Sequence, residues 1–324
     1  MTDLSRRSLL GAAAVTAAAA TSVKAQTVAP ADPTEVVHLW PNGAPGGENV
    51  TVTPIVPERS TDPSFHDRYA QYTTDPILTV LRPERPNGAA LLLIPGGGYR
   101  WAVLDKEGFD VARVFAAAGV TCFVLRYRLP ADGWAAGPNA PLQDAQRALR
   151  LIRANAANYG IDPARIASLG ASAGGHLAGL LAARQDATYE LIDEADAVSH
   201  RPDLNILLYP VATMTDPLVH AGSREHLLGP SPTPQQMTEW SLETMDWVGV
   251  APTILIHALD DASVRPENSL QLLTTLRACD VVSEAHLFQE GGHGFGIRLI
   301  AGKPAAVWPE LVLAFGRRNG WLTA

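Results

Sequence analysis

From Ile77 to the C-terminus, short unbroken apolar runs alternate with stretches whose apolar residues recur at intervals of three and four. Unbroken runs mark strands covered on both faces; the three-and-four spacing marks amphipathic helices. Ala89–Ile94, Val120–Tyr127, Arg165–Leu169, Leu204–Tyr209, Thr253–His257 and Val282–Phe288 read as strands. Phe109–Ala118, a stretch from Pro141 to about Gly160, Gly174–Arg184, Pro266–Cys279 and Lys303–Arg318 read as helices. Pro141 and Pro266 fall in first turns, where the missing N–H is an orphan in any case, and Gly119 is a natural stop. Such alternation predicts a mostly parallel central sheet with helices on both faces. Upstream, the Pro- and Thr-rich stretch Thr34–Leu81 carries β-like pieces at Val36–Trp40, Thr51–Val56 and Ile77–Leu81, which predict an antiparallel edge.

The chain is long and apolar enough (324 residues, 47% hydrophobic) for one large domain. It shows no internal repeat or low-complexity linker, so residues 30–324 are expected to form a single domain. A formal charge of −8 excludes a basic nucleic-acid-binding surface as the dominant feature. Two cysteines, Cys122 and Cys279, are too few for a disulfide framework or a Cys-rich metal site; both are expected to be buried and inert. Residues 1–25 read as an export signal: Arg6-Arg7 precede an Ala-rich apolar run, Leu9 to Ala20, and Val23-Lys24-Ala25 precedes the expected cut before Gln26. The run is too short to span a bilayer, and the arginine pair is of the twin-arginine kind, which predicts a periplasmic or secreted protein. Residues 211–250, rich in Pro (Pro217, Pro230, Pro232, Pro234) and holding His220, His226, Trp240 and Trp247, are longer than a plain crossover needs and predict a cap.

Three strand ends carry candidate chemistry. Gly170-Ala171-Ser172-Ala173-Gly174 follows one strand and opens a helix, the strand–turn–helix context that lifts a serine hydroxyl above a sheet edge. A serine hydroxyl is a weak nucleophile and needs a base, itself oriented by a third group. Asp260 and Asp261 follow Thr253–His257, and His293 lies in Gly291-Gly292-His293-Gly294-Phe295-Gly296 after Val282–Phe288. The order along the chain is therefore nucleophile, acid, histidine, with either aspartate available as the acid. Ile94-Pro95-Gly96-Gly97-Gly98-Tyr99 adds a glycine run whose amides can approach an oxyanion, with the N–H of Ala173 as a second donor. No Lys-Ser/Thr pair follows that run, which excludes a phosphate-binding loop. His176, His257 and His286 fall inside predicted helix or strands and are expected to serve packing or supporting roles.

Taken together, these residues resemble the α/β-hydrolase fold, and more narrowly its carbohydrate acetylesterase branch, often labelled acetylxylan esterase. The resemblance is carried by Leu39-Trp40-Pro41, Ala44-Pro45-Gly46, Pro95–Tyr99, Lys106-Glu107-Gly108, Arg126-Tyr127-Arg128-Leu129, Asp144 with Gln146-Arg147-Ala148, and Ser172–Leu177. It continues through His257-Ala258, Asp260-Asp261, Glu267-Asn268-Ser269 and Gly291–Gly296. It implies Ser172 as nucleophile, His293 as base, and Gly97, Gly98 and Ala173 as oxyanion donors. It favours Asp261 over Asp260, because Asp261-Ala262-Ser263-Val264 fits the family's Asp-x-x-Val-Pro, with Arg265 standing where proline is usual.

The expected function is an exported serine esterase that removes acetyl groups from plant oligosaccharides such as acetylated xylan, with no metal and no organic cofactor required. Its expected partner is a small-molecule or oligosaccharide ester; no nucleic acid and no membrane span are expected, and the oligomeric state is left open. Tyr99, Trp101, Trp240 and Trp247, with Trp134, are candidate sugar-binding surfaces. The alternatives are a general carboxylesterase for short acyl esters and, from another class, an inactive hydrolase fold that binds carbohydrate. A glycosidase is disfavoured, since no facing carboxylate pair stands out.

Overall fold

The computed structural model describes residues 28–323, so the expected export signal lies outside the described residues. The main sheet holds eight strands: β1 (Val36–His38), β2 (Ile77–Leu81), β3 (Ala90–Ile94), β4 (Thr121–Arg126), β5 (Ile166–Ala171), β6 (Leu204–Leu208), β7 (Thr253–Ala258) and β8 (Ser283–Phe288). Their spatial order is β1-β2-β4-β3-β5-β6-β7-β8. β1 and β2 are antiparallel to their neighbours, and every later pairing is parallel. The antiparallel edge and the parallel body therefore fall where the composition changes.

The unbroken apolar runs are the covered strands: every residue of β3, β5, β6 and β7 is buried. Helices α1 (Asp110–Ala117), α2 (Ala140–Ala154), α3 (Ala173–Ala183), α4 (Ala221–Leu228), α5 (Pro234–Glu239), α6 (Glu267–Ala278) and α7 (Trp308–Arg318) supply the crossovers and the segment above the strand ends. α3 is buried all along its length and packs on β5 and β6, with α2 alongside, as an apolar, Ala- and Gly-rich helix allows. Among the described residues no helix is long and apolar enough to cross a membrane.

Three expectations shift, each for a local reason. Thr51–Val56 is not a strand; only a single bridge, Ile55 to Gln71, forms there. Pro54 and Pro57 flank that bridge and have no N–H to donate to a ladder. The last helix starts at Trp308 rather than Lys303, after a short 3-10 turn at Pro304–Val307. Pro309 is tolerated only in a first turn, so the helix cannot begin much earlier. Cys122 is buried as expected, whereas Cys279 is only half-buried; both are free.

Part of the resemblance motif is scaffold. The fully buried Asp144 carboxylate accepts from Trp40 Nε1 (2.8 Å), the Arg128 amide (2.8 Å) and Arg128 Nε (2.9 Å). Arg147 Nε donates to the Leu39 carbonyl at 3.0 Å. A buried ion pair with every polar atom engaged is retained for geometry more than for net stability. Here it pins the chain just after β1 to the loop after β4 and to α2.

Candidate active site

Ser172 forms the one-residue turn between β5 and α3, at φ 56° and ψ −120°. A non-glycine residue at positive φ is strained, and the surroundings explain how it is held. The Ser172 amide donates to the Leu208 carbonyl at 2.9 Å, and its own carbonyl accepts from Val211 at 3.1 Å, tying the turn to the end of β6. The turn also demands two glycines. A Cβ on Gly170 would lie 2.1 Å from the Gly174 carbonyl oxygen, and one on Gly174 would lie 2.1 Å from that of Ile94. Strand, turn and helix can pack this closely only without those side chains.

The Ser172 hydroxyl lies 2.9 Å from His293 Nε2, and His293 Nδ1 lies 2.7 Å from Asp261 Oδ2. The geometry distinguishes the two aspartates. Asp260 instead accepts the Gly292 amide at 2.7 Å and so supports the histidine loop from outside. Asp261 Oδ1 accepts the amides of Ser263 and Val264, both at 2.9 Å, and Oδ2 also lies 3.3 Å from His257 Nε2. Burial alone would raise the Asp261 carboxyl. The hydrogen bonds from His257 and His293, the charge of His293 and the Val264 amide outweigh it and hold the group well below the usual carboxylate range. Asp261 is thus a buried, ionised acceptor aimed at one imidazole nitrogen while the other faces the hydroxyl. Arg265 does not disturb this loop; it turns outward to Glu267 at 2.9 Å.

The glycine run after β3 stands opposite. Gly97 (φ +132°) and Gly98 (φ +64°) line the same cleft as Ser172 and His293. Among the described residues, the amides of Gly97, Gly98 and Ala173 have no protein acceptor. The loop is anchored from beneath: Gly96 N–H donates to the buried Glu107 carboxylate at 2.9 Å, and Tyr127 Oη donates to the Pro95 carbonyl at 2.7 Å.

Two residues to which the sequence assigns no role join the loops. Tyr209, the residue after β6, donates its hydroxyl to Glu107 Oε1 (3.1 Å) and accepts the Gly296 amide (3.2 Å). Its ring meets His293 edge-on, with centroids 5.2 Å apart. Glu107 and Tyr209 therefore connect the glycine run to the histidine loop through the interior. The signal for Tyr209 is available in principle: it ends a strand, on the same rim as the other site residues.

The aromatic candidates divide. Trp101 borders the cleft beside Gly97, with its ring against Tyr69 (centroids 4.9 Å apart). Tyr99, Trp240 and Trp247, expected to bind substrate, are instead interior. The Tyr99 hydroxyl bonds to His176 Nδ1 at 2.7 Å, and His176 Nε2 donates to the Trp240 carbonyl at 2.6 Å. Trp240 is covered by Arg184, and Trp247 donates to the Leu242 carbonyl at 2.8 Å; both fill space in the interior instead of facing the cleft. Trp134 is buried against Arg128. His176 acts as expected of a supporting residue, and burial pushes its pKa down to about 4, so it stays neutral.

The cleft has a volume of about 340 Å³. Besides the residues above it is bordered by Arg59, Arg100, Lys106, His220 and His226, the last two from the expected cap. A parallel sheet with an antiparallel edge, and a strand–serine–helix turn facing a histidine and an aspartate at its strand ends, define an α/β-hydrolase. The BD-FAE family model matches residues 80–276, and the chain belongs to that family, one of α/β-hydrolase esterases. It is 36% identical over 207 residues to endo-1,4-beta-xylanase B of Butyrivibrio fibrisolvens (64% of this chain, 32% of that one). It is 28% identical over 218 residues to an acetylxylan esterase of Xylanibacter ruminicola (66% of this chain, 42% of that one). The chain thus spans less than half the length of either curated relative. The crystal structure of an acetyl ester-xyloside bifunctional hydrolase from Caldicellulosiruptor lactoaceticus superposes with a TM-score of 0.71 at 30% identity, covering 90% of this chain and 98% of that one.

Proposed function

We propose that the protein is a serine esterase that releases acetyl groups from plant oligosaccharides, xylan fragments among them, through an acyl-enzyme. The observation that carries this reading is the hydrogen-bonded series Ser172–His293–Asp261 beside glycine amides with no protein acceptor. His293 Nε2 takes the Ser172 proton as Oγ attacks the ester carbonyl. The amides of Gly97, Gly98 and Ala173 receive the oxyanion, each worth about 3 kcal/mol in the transition state. The tetrahedral adduct collapses, His293 returns the proton to the departing sugar oxygen, and the acetyl group stays bonded to Oγ. Water then attacks by the same route and frees acetate. Asp261 keeps the proton on Nδ1, so that Nε2 is the basic nitrogen, and stabilises the imidazolium.

The names of the relatives support the acetylated-xylan side of the proposal. A second reading, a general short-chain carboxylesterase, is favoured by the burial of Tyr99, Trp240 and Trp247, which leaves Trp101 as the one candidate sugar-stacking ring at the cleft. Kinetics on acetylated xylooligosaccharides and on p-nitrophenyl butyrate separate the two: a higher kcat/KM on the glycan supports the proposal, and a preference for the butyrate overturns it. Export to the periplasm or medium belongs to the same proposal, supported by Arg6-Arg7 and the apolar run after it.

A further inference from the structure

His220 and His226 lie immediately before and within α4 and border the cleft together with Gly98, Ser172 and His293. Their ring nitrogens are already partly committed. His220 Nδ1 receives the backbone N–H of Ser223 at 3.1 Å, with the Ser223 hydroxyl 2.8 Å away. A peptide nitrogen can only donate, so Nδ1 holds a lone pair and the neutral ring carries its proton on Nε2. His226 Nδ1 lies 2.6 Å from the Gly222 carbonyl. A carbonyl oxygen can only accept, so here the proton is on Nδ1 and the neutral ring has its lone pair on Nε2. The backbone of one short helix thus fixes opposite tautomers on two rings facing one cleft. Among the described residues neither Nε2 has a protein partner. Burial, with His293 nearby, lowers the pKa of His220 and keeps that ring neutral.

We propose that the two rings form a hydroxyl-recognition pair for the alcohol half of the ester, with His220 Nε2–H donating and His226 Nε2 accepting. This rests on the glycan-ester reading above and specifies what in the glycan is recognised. Each carbohydrate hydroxyl can both donate and accept, so neighbouring hydroxyls satisfy one donor and one acceptor together. The alcohol released from ethyl acetate offers no further hydroxyl. The pair therefore determines specificity, whereas Ser172 and His293 perform the chemistry on either ester.

The test compares kcat/KM for an acetylated methyl β-xyloside with that for ethyl acetate, in the wild type, His220→Asn, His226→Phe and the double variant. Asparagine at position 220 retains a side-chain oxygen to cap α4, and phenylalanine at 226 retains the ring volume; thermal melting confirms that each variant folds. The xyloside-to-ethyl-acetate ratio is expected to fall about tenfold in each single variant and about a hundredfold in the double, mainly through KM. A xyloside O-methylated beside the acetyl group should lose about tenfold on the wild type and almost nothing further on the double variant. Equal losses on both esters, or a ratio within about twofold of wild type in the double variant, would overturn the proposal. A wild type that prefers ethyl acetate would overturn the glycan reading itself, and the pair's role with it, before any variant is made.

Discussion

The strand-end rim and the 211–250 segment face each other across one cleft, yet they are built differently. On the rim, Ser172 is held by backbone bonds to Leu208 at the end of β6 and to Val211, where the segment begins, and Gly96, Glu107, Tyr209 and Gly296 are linked through the interior. In the segment, α4 and α5 carry their own terminal caps: His220 on Ser223, and a reciprocal pair between Thr233 and Gln236. α5 has no buried residue, and α4 buries only Ser223 and Leu227. The rim fixes positions to the tolerance that proton transfer requires; α4 and α5 are locally stabilised, whereas the ends of the segment, at Val211, Met214, Trp240 and Trp247, pack into the core. The proposed chemistry on the rim and the proposed selectivity of His220 and His226 match that difference.

The contrast breaks most visibly at the nucleophile. Ser172→Ala should lower kcat on any ester by roughly 10⁵ while leaving the fold intact, measured as acetate release with thermal melting alongside. A residual rate near wild type would place the chemistry elsewhere. Within the rim, the two adjacent aspartates should behave unequally. Asp261→Asn is expected to lower kcat by about 10³ to 10⁴, since an amide can stabilise the wrong tautomer of His293. Asp260→Asn keeps an oxygen for the Gly292 amide and should cost less than about tenfold. Reversal of that order would mean the acid is assigned to the wrong residue.

A third prediction concerns the joint between the two regions. His176, tied to Tyr99 on one side and to the Trp240 carbonyl on the other, has its pKa lowered by burial to about 4 from the usual 6.5. Between those values the unfolded chain binds a proton that the native state excludes, so stability falls as pH drops from about 6.5 towards 4. The full effect is about 3 kcal/mol. Denaturant titrations across that range should show it, and His176→Gln should flatten the slope. The smallest effect belongs to the segment alone. Thr233→Ala removes the α5 cap and should cost about 1 kcal/mol or less, with kcat on ethyl acetate unchanged.

The same contrast explains what can be read from the chain. Ser172, Asp261 and His293 are legible because each lies just beyond a predicted strand, and a parallel sheet gathers such ends at one edge. The glycines flanking Ser172 are legible because their absence of a side chain has a local geometric cause. Tyr99, Trp240 and Trp247 are misread for the opposite reason. A large aromatic in a loop fits equally well in the interior or facing the cleft, and no local pattern reports which. The roles of Tyr209 and Glu107 go unread because their partners are distant in sequence, and only the folded chain places a buried carboxylate beneath the glycine run. The tautomers of His220 and His226 depend on which backbone atom each nitrogen meets, information that exists only once α4 has formed.

The most direct test of the central claim is mass spectrometry of the whole enzyme after exposure to a fluorophosphonate. One adduct per chain, located on Ser172 and accumulating in proportion to lost acetate release, is the predicted result. Full activity with Ser172 unmodified, or an adduct on another residue that tracks the loss, would contradict the assignment of the reacting oxygen.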